Sequence, residues 1–375
     1  MTPPVRRPRV VLLRGHNANP WDLRPWELLR DDFDVSVLVT GSNRYDLEDL
    51  DLEVVAASAV RDRLPHGRRL GRLADLASQV PGDRYLDLER HLSGADIVHS
   101  AELGVWFSGQ PAALKQRLGF RLVLTVWETI PFRETFRAAR GRGYRRDALE
   151  HADLFLAATE RARRCLLLEG ADAERIEVSP PGVDVGRFRA AGVEAPGEHL
   201  IVSPGRLVWE KGHYDAIRAL AALEQQPRLL LVGEGSERAR LLRYASDLGV
   251  GDRMEIRSVP HAEMPSVFAE ASCVVLGSLP IPLWEEQFGM VLAEALAAGA
   301  PIVASTSGAI PEVLGPDALL FAPGDWVELA RLLEAGPLAR PPGQRVEHDP
   351  ELVRRYSLDA AASRLSAAYH RVLAR

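Results

Sequence analysis

At 375 residues the chain exceeds one ordinary α/β core and suits two domains of about 170 to 190 residues each. Apolar residues make up 46% and charged residues 26%, the balance of a soluble globular protein, and a net charge of −6 argues against wholesale nucleic-acid binding. Two cysteines far apart in sequence, Cys165 and Cys273, read as buried thiols of a reducing compartment; no CxxC and no metal-ligand cluster stands out, so neither a metal nor a cofactor is expected. The opening MTPPVRRPRVVLLRG holds too short an apolar run for a signal peptide or a spanning helix, which predicts a cytoplasmic protein. Through Val193 there are 29 basic and 28 acidic residues, and from Glu194 onward 17 and 24, so the halves carry near +1 and −7. Lysine is almost absent: Lys115 and Lys211 are the only two among 46 basic residues.

In chain order, Arg9 to Arg14 reads as a buried strand ending in Gly15, and a glycine after the first strand lies where α/β folds bind ligands. Val35 to Thr40 and Glu53 to Ala57 are the next strands. Between them Asp49, Leu50 and Asp51 spell a DxD, but alternating acids before a strand fit a solvated face. Asp96 to Ser100 and Arg121 to Trp127 are two further strands, which puts His99 and Glu128 at carboxyl ends beside Gly15. His99 fits either a group facing a ligand or a satisfied core histidine, and Glu128 either a site residue or a loop acid. Two arginine-rich tracts, RDRLPHGRRLGR from Arg61 and RETFRAARGRGYRR from Arg133, suit either solvated helix faces or peripheral contact with anionic lipid or a phosphate-bearing acceptor. Asp153 to Thr159 reads as one more strand of the first domain.

After the linker AAGVEAPGEHL comes the strand LIVS and then SPGRLVWEKGHYDAIRAL, in which Gly205, Arg206, Lys211 and Gly212 fall at one sheet edge. A guanidinium and an ammonium there can neutralise a leaving diphosphate directly. Arg228 to Val232 with GEGSERARL is a strand, turn and helix; it is weak as a dinucleotide fingerprint because Arg238 stands at the third glycine position. Met254 to Val259 is a further strand. In PIPLWEEQFGMVLAEALAAGAPIVASTSGAIPEVLG, a Pro-rich loop leads into good helix formers from Phe288 to Ala298, stopped by Gly299 and followed by a strand from Pro301 to Ala304. Glu286 and Glu294 frame the helix start, and Gly289 between them leaves bare backbone whose free N–H groups suit a phosphate. If most of that interval is helical, the two carboxylates stand roughly 12 Å apart, the length of a sugar, a diphosphate and a ribose. Glu285 is not the framing residue, since Ala293 stands eight positions on. Leu319 to Phe321 and Asp325 to Glu334 complete the second sheet with a helix, and Tyr356 to Arg375 is a last helix starting at Ser357.

The segment EQFGMVLAE resembles the Glu, seven residues, Glu motif of retaining glycosyltransferases of family 4, which have the GT-B fold, and SGAIPEVLG is similar to the text that follows that motif. GRL…KG and SPPGVDVGRF also resemble family segments. The likeness is specific over about 200 to 350 and topological before that. It implies two Rossmann-like domains facing each other across a cleft: residues 1–193 for an acceptor, 194–350 for a nucleotide-sugar, and 351–375 as a helix crossing back to the first domain. It implies Arg206 and Lys211 on the donor diphosphate; Glu286 with the main chain of Phe288, Gly289, Met290 and Val291 on the sugar; and Glu294 on the ribose. Gly233 is then beside the nucleotide, main-chain groups at Val259 are against the base, and Gly15 closes the phosphate site. The family often carries a His near the transferred sugar; here TVWETIPF has Trp127 and Glu128 instead, which leaves His99 and Glu128 as the catalytic candidates of the first domain. The activity implied is metal-independent, retaining transfer of a sugar to a carbohydrate, lipid-linked or small-molecule hydroxyl, such as that of a cell-envelope glycan. A nucleotide-sugar epimerase of the same fold and a catalytically silent binding protein are the alternatives.

Overall fold

Strands rich in Val and Leu on both faces suit parallel sheets covered by helices on either side, and both halves of this chain are built that way. The computed structural model describes residues 6–63, 83–133, 139–189 and 197–375. The chain divides into two compact units, Met1–Gly182 with Leu358–Arg375, and Val183–Ser357. The 193/194 and 350/351 boundaries read from the sequence therefore move by several residues. Val185–Arg189, expected with the first domain, packs on the Met264–Glu270 and Met290–Ala298 helices of the second. Pro350–Arg355 also stays with the second unit, and the helix that rejoins the first unit is Leu358–Ala374.

The first unit holds β1 (Arg9–Leu13), β2 (Asp34–Thr40), β3 (Glu53–Ala57), β4 (Ile97–Ala101), β5 (Arg121–Val126), β6 (Leu154–Ala157) and β7 (Ile176–Val178). They form a parallel sheet in the order β3-β2-β1-β4-β5-β6-β7. Successive strands run outward one way from β1 to β3 and the other way from β4 to β7, so the carboxyl ends of β1 and β4 flank a switch point that favours a crevice. The pleat sorts the core: Val11, Leu13, Val98 and Leu124 lie on one face, Val10, Leu12, Ile97 and Val123 on the other. Leu365, Tyr369 and Val372 of the terminal helix, at helical spacing, cover the second face. Each such buried side chain is worth roughly 1.5 to 3 kcal/mol of apolar burial. The Tyr369 hydroxyl accepts from Trp26 Nε1 at 2.7 Å and lies 2.6 Å from His99 Nδ1, which ties this helix to the Pro20–Glu27 helix and to β4.

The second unit holds β8 (Leu200–Pro204), β9 (Arg228–Val232), β10 (Met254–Arg257), β11 (Cys273–Leu276), β12 (Ile302–Ser305) and β13 (Leu319–Phe321), parallel in the order β10-β9-β8-β11-β12-β13. Its switch point lies between β8 and β11. Both cysteines are buried.

Replacing Tyr369 by Phe should lower stability by about 1 to 3 kcal/mol, because it strands the buried Trp26 donor and one nitrogen of His99. Urea unfolding within about 0.5 kcal/mol of the wild type would show that this network contributes nothing.

Candidate functional site

The switch point of the second unit is drawn together by glycines. Gly212 has φ +69°, and a Cβ on it would lie 1.8 Å from the Gly277 carbonyl oxygen, so the loop after β8 touches the end of β11 backbone to backbone. Leu279 N–H donates to the Glu210 carbonyl at 2.8 Å and holds the contact. At the end of β9, Gly233 has φ +152°, and a Cβ there would lie 2.0 Å from the Gly205 carbonyl oxygen. His213, 1% exposed, braces the loop from below: Nε2 lies 3.1 Å from the Arg206 carbonyl and Nδ1 3.0 Å from Ser203 Oγ. Burial lowers its pKa to about 4, so the ring is neutral at pH 7, with Nε2–H donating to the carbonyl and Nδ1 accepting from Ser203.

This approach brings Lys211 and Glu286, 75 positions apart, to 2.7 Å between Nζ and Oε2. Ser278 Oγ donates to the same Oε2 at 2.6 Å, and the Lys211 ammonium stands 4.9 Å from the Trp284 ring centre. Oε1 of Glu286 makes no hydrogen bond within the described residues. The backbone of Glu286 is held as well: Ala309 N–H donates to its carbonyl, and a Cβ on Gly308, φ +57°, would lie 2.1 Å from that oxygen. Arg206 belongs to the same loop but points outward, its side chain 62% exposed and 3.6 Å from Glu210.

The helix expected from Phe288 starts at Met290, after Gly289 at φ +80°. Only the stretch from Met290 to Glu294 is then helical, a rise of about 6 Å, so the 12 Å separation expected of Glu286 and Glu294 does not follow from helix geometry. Phe288 is buried edge-on against Tyr356, while Met290 and Val291 are half-buried. Glu294, 4% exposed, places Oε1 2.8 Å from His261 Nε2, and the His261 carbonyl accepts from Arg187 at 2.6 Å. Val259, two residues before His261, is half-buried.

In the first unit, Gly15 has φ +59° and packs under the Phe107 and Trp106 rings, which a Cβ would meet at 2.9 and 3.2 Å. His99 corrects the sequence reading that put it among the catalytic candidates. It is 0% exposed, with Nδ1 on Tyr369 and Nε2 2.8 Å from Thr125 Oγ1, and burial drives its pKa well down, so it is a neutral core residue. Glu128 is likewise spent on structure: Oε1 accepts from the N–H groups of Thr129 and Ile130, and Oε2 from Arg133 at 2.7 Å. The sequence reading missed Arg14 and Glu102, which line a cavity of about 240 Å³ at the β1/β4 switch point. The signal was available, since both flank carboxyl ends of strands already assigned.

Most of the first arginine tract lies outside the described residues. Of the second, Arg133 pairs with Glu128 and Arg145 with buried Glu169, so these two serve the fold. No helix among the described residues is long and apolar enough to cross a membrane.

Two parallel-sheet, Rossmann-like units of seven and six strands are the architecture of the GT-B class of proteins. The sequence matches the family model for glycosyl transferases group 1 over residues 184–335 and that for glycosyltransferase family 4 over 26–187, and the chain belongs to this family. It is 32% identical over 312 residues to a D-inositol 3-phosphate glycosyltransferase of Segniliparus rotundus, covering 74% of this chain and 66% of the relative. It is 30% identical over 255 residues to a 2-deoxystreptamine glucosyltransferase of Streptomyces kanamyceticus, covering 63% and 59%. The matches thus span about half to two thirds of the length of these curated relatives. Anabaena Alr3699/HepE in complex with UDP is similar in structure, with TM-score 0.74 at 18% identity over 97% of this chain and 100% of that one. A sucrose-phosphate synthase of Thermosynechococcus elongatus gives 0.75 at 20% identity over 98% and 100%. At such identities the likeness speaks to the fold.

Stability should carry the mark of His213. Its folded pKa lies below the unfolded value of 6.5, so the contribution is whole above pH 6.5 and is lost as the pH falls toward about 4, at about 1.4 kcal/mol per pH unit. Urea midpoints of wild type and His213→Gln should therefore converge over that window; a gap that stays constant would contradict the assignment.

Proposed function

We propose that this protein transfers a sugar from a nucleotide-sugar donor to an acceptor hydroxyl, with retention at the anomeric carbon and without help from a metal ion. The observation that carries the reading is the Lys211–Glu286 pair at the β8/β11 switch point, with the second carboxylate oxygen unspent. Lys211 and Arg206 hold the diphosphate and stabilise the charge it gains on leaving. Oε1 of Glu286, a pure acceptor, takes a sugar hydroxyl, and the first-turn N–H groups after Gly289 face the donor. Glu294 takes the ribose through its second oxygen, with His261 holding the first. Gly233 and the main chain at Val259 lie beside the nucleotide. The departing phosphate itself accepts the proton of the attacking hydroxyl on the same face, a step that rests on the resemblance to retaining family 4 enzymes.

The relatives' names support the class, since one is a D-inositol 3-phosphate glycosyltransferase and another a 2-deoxystreptamine glucosyltransferase. The complex of Alr3699/HepE with UDP-glucose, 19% identical, supports a uridine donor. Among the alternatives, an epimerase needs an acid and a base over the sugar. The two residues that were candidates for this, His99 and Glu128, are committed to the core and to a loop.

Lys211→Ala should keep the fold and lower turnover by at least roughly tenfold, and UDP-, GDP-, ADP- or TDP-sugars in excess of their dissociation constant should raise the melting temperature of the wild type. Unchanged turnover in the variant removes the phosphate role, and a donor panel without any shift removes the donor site.

A further inference from the structure

The cavity of the first unit lies at the β1/β4 switch point, where a parallel sheet leaves its crevice, and it is lined by Arg14, Trp26, Glu102, Thr125 and Trp127. At about 240 Å³ it falls below the size that holds a drug-sized ligand, roughly 300 to 1,000 Å³, and suits a single substituted ring. Glu102 stands immediately after β4 at φ +63°, a conformation that a side chain bearing a Cβ rarely adopts. Its Oε1 accepts from the Trp127 N–H at 2.9 Å, which fixes the carboxyl against the β5 loop.

Arg14 NH1 is spent on the carbonyls of Leu13 and His99, and its guanidinium lies over the Trp26 ring at 5.2 Å. The remaining N–H donors of Arg14 make no hydrogen bond within the described residues. Arg14 is the one cation among the lining residues, against Asp22 and Glu102. A phosphate brought here would meet two carboxylates and a single guanidinium that is already half engaged. A hydroxyl pair, by contrast, meets a donor on Arg14 and an acceptor on Glu102, with indole surface beside the ring.

We infer that this cavity is the acceptor site and is built for one neutral polyhydroxylated ring, a monosaccharide or cyclitol without phosphate, with Arg14 and Glu102 on its hydroxyls. The inference rests on the proposed transfer activity only in taking that ring for the acceptor. It separates this chain from the relatives named for D-inositol 3-phosphate. Burial raises the Glu102 pKa to about 7, and its charged neighbours are Glu128 and Arg133 from the β5 loop and Arg14 from the end of β1. The polyol contact is therefore stronger at pH 8, where Glu102 is an anionic acceptor, than at pH 6.

Calorimetry on the full chain tests this with myo-inositol and glucose as neutral probes and inositol 1-phosphate and glucose 6-phosphate as their phosphorylated counterparts. At least one neutral probe should bind, its phosphate at least about tenfold more weakly. Glu102→Gln, which keeps the shape, should weaken the neutral probe at least about tenfold, and Ala361→Phe, which fills the cavity from the terminal helix, should remove binding. Should Ala361→Phe fail to fold, the isosteric Glu102→Gln still decides. Phosphorylated probes that bind as well as the neutral ones, no binding by either neutral probe, or a Glu102→Gln chain that binds as the wild type does would each overturn the inference. Donor-induced stabilisation is measured on the same preparation: a donor shift without polyol binding sinks the acceptor assignment alone, and polyol binding without a donor shift sinks the transfer reading and with it the ring's role as acceptor, leaving only the polyol site.

Discussion

The second unit depends on one close approach, in which the loop after β8 meets the end of β11 with no side chain between Gly212 and Gly277. A methyl group at Gly212 would overlap a carbonyl oxygen, so the contact exists only because that position is bare. From it follows the placing of Lys211, whose ammonium reaches a carboxylate 75 residues on. From the far side, Gly308 and the Ala309 N–H clamp the backbone of Glu286, which gives a physical reason for the SGAIPEV text after the helix.

Removing two charges from water costs free energy that their attraction repays only with good geometry and further hydrogen bonds. Here Ser278 and the Trp284 ring supply those contacts, and the pair stays 13% and 9% exposed. In the proposed function, a diphosphate would find Lys211 already oriented but shared with Glu286, which is why that reading calls on a second cation. The proposed role gives that part to Arg206 of the same loop, whose side chain is 62% exposed while its backbone carbonyl is braced by neutral His213.

Much of the fold was legible because apolar runs between polar helices carry a strong signal: eleven of the thirteen strands were read within a residue or two of their observed ends. Ile176–Val178 escaped because three residues beside charged neighbours carry too little period, and Cys273–Leu276 because it follows an apolar helix after only two residues. At the site, the Glu286 and Lys211 positions could be read from spacing and from the rarity of lysine. The first unit was harder. A histidine at a strand end reads alike whether it faces a ligand or the core, and only the Tyr369 hydroxyl, 270 residues away, decides that His99 belongs to the core. Glu102 was passed over although it stands just past the carboxyl end of an assigned strand, because nothing in its neighbours announces its positive φ.

The measurement that bears most directly on the central claim is a crystal structure of the full chain with an intact nucleotide-sugar. It should show Lys211 Nζ and the Arg206 guanidinium within hydrogen-bond distance of the diphosphate, and Glu286 Oε1 on a hydroxyl of the sugar. A donor whose diphosphate lies out of reach of Lys211, or whose sugar leaves Glu286 untouched, would contradict it.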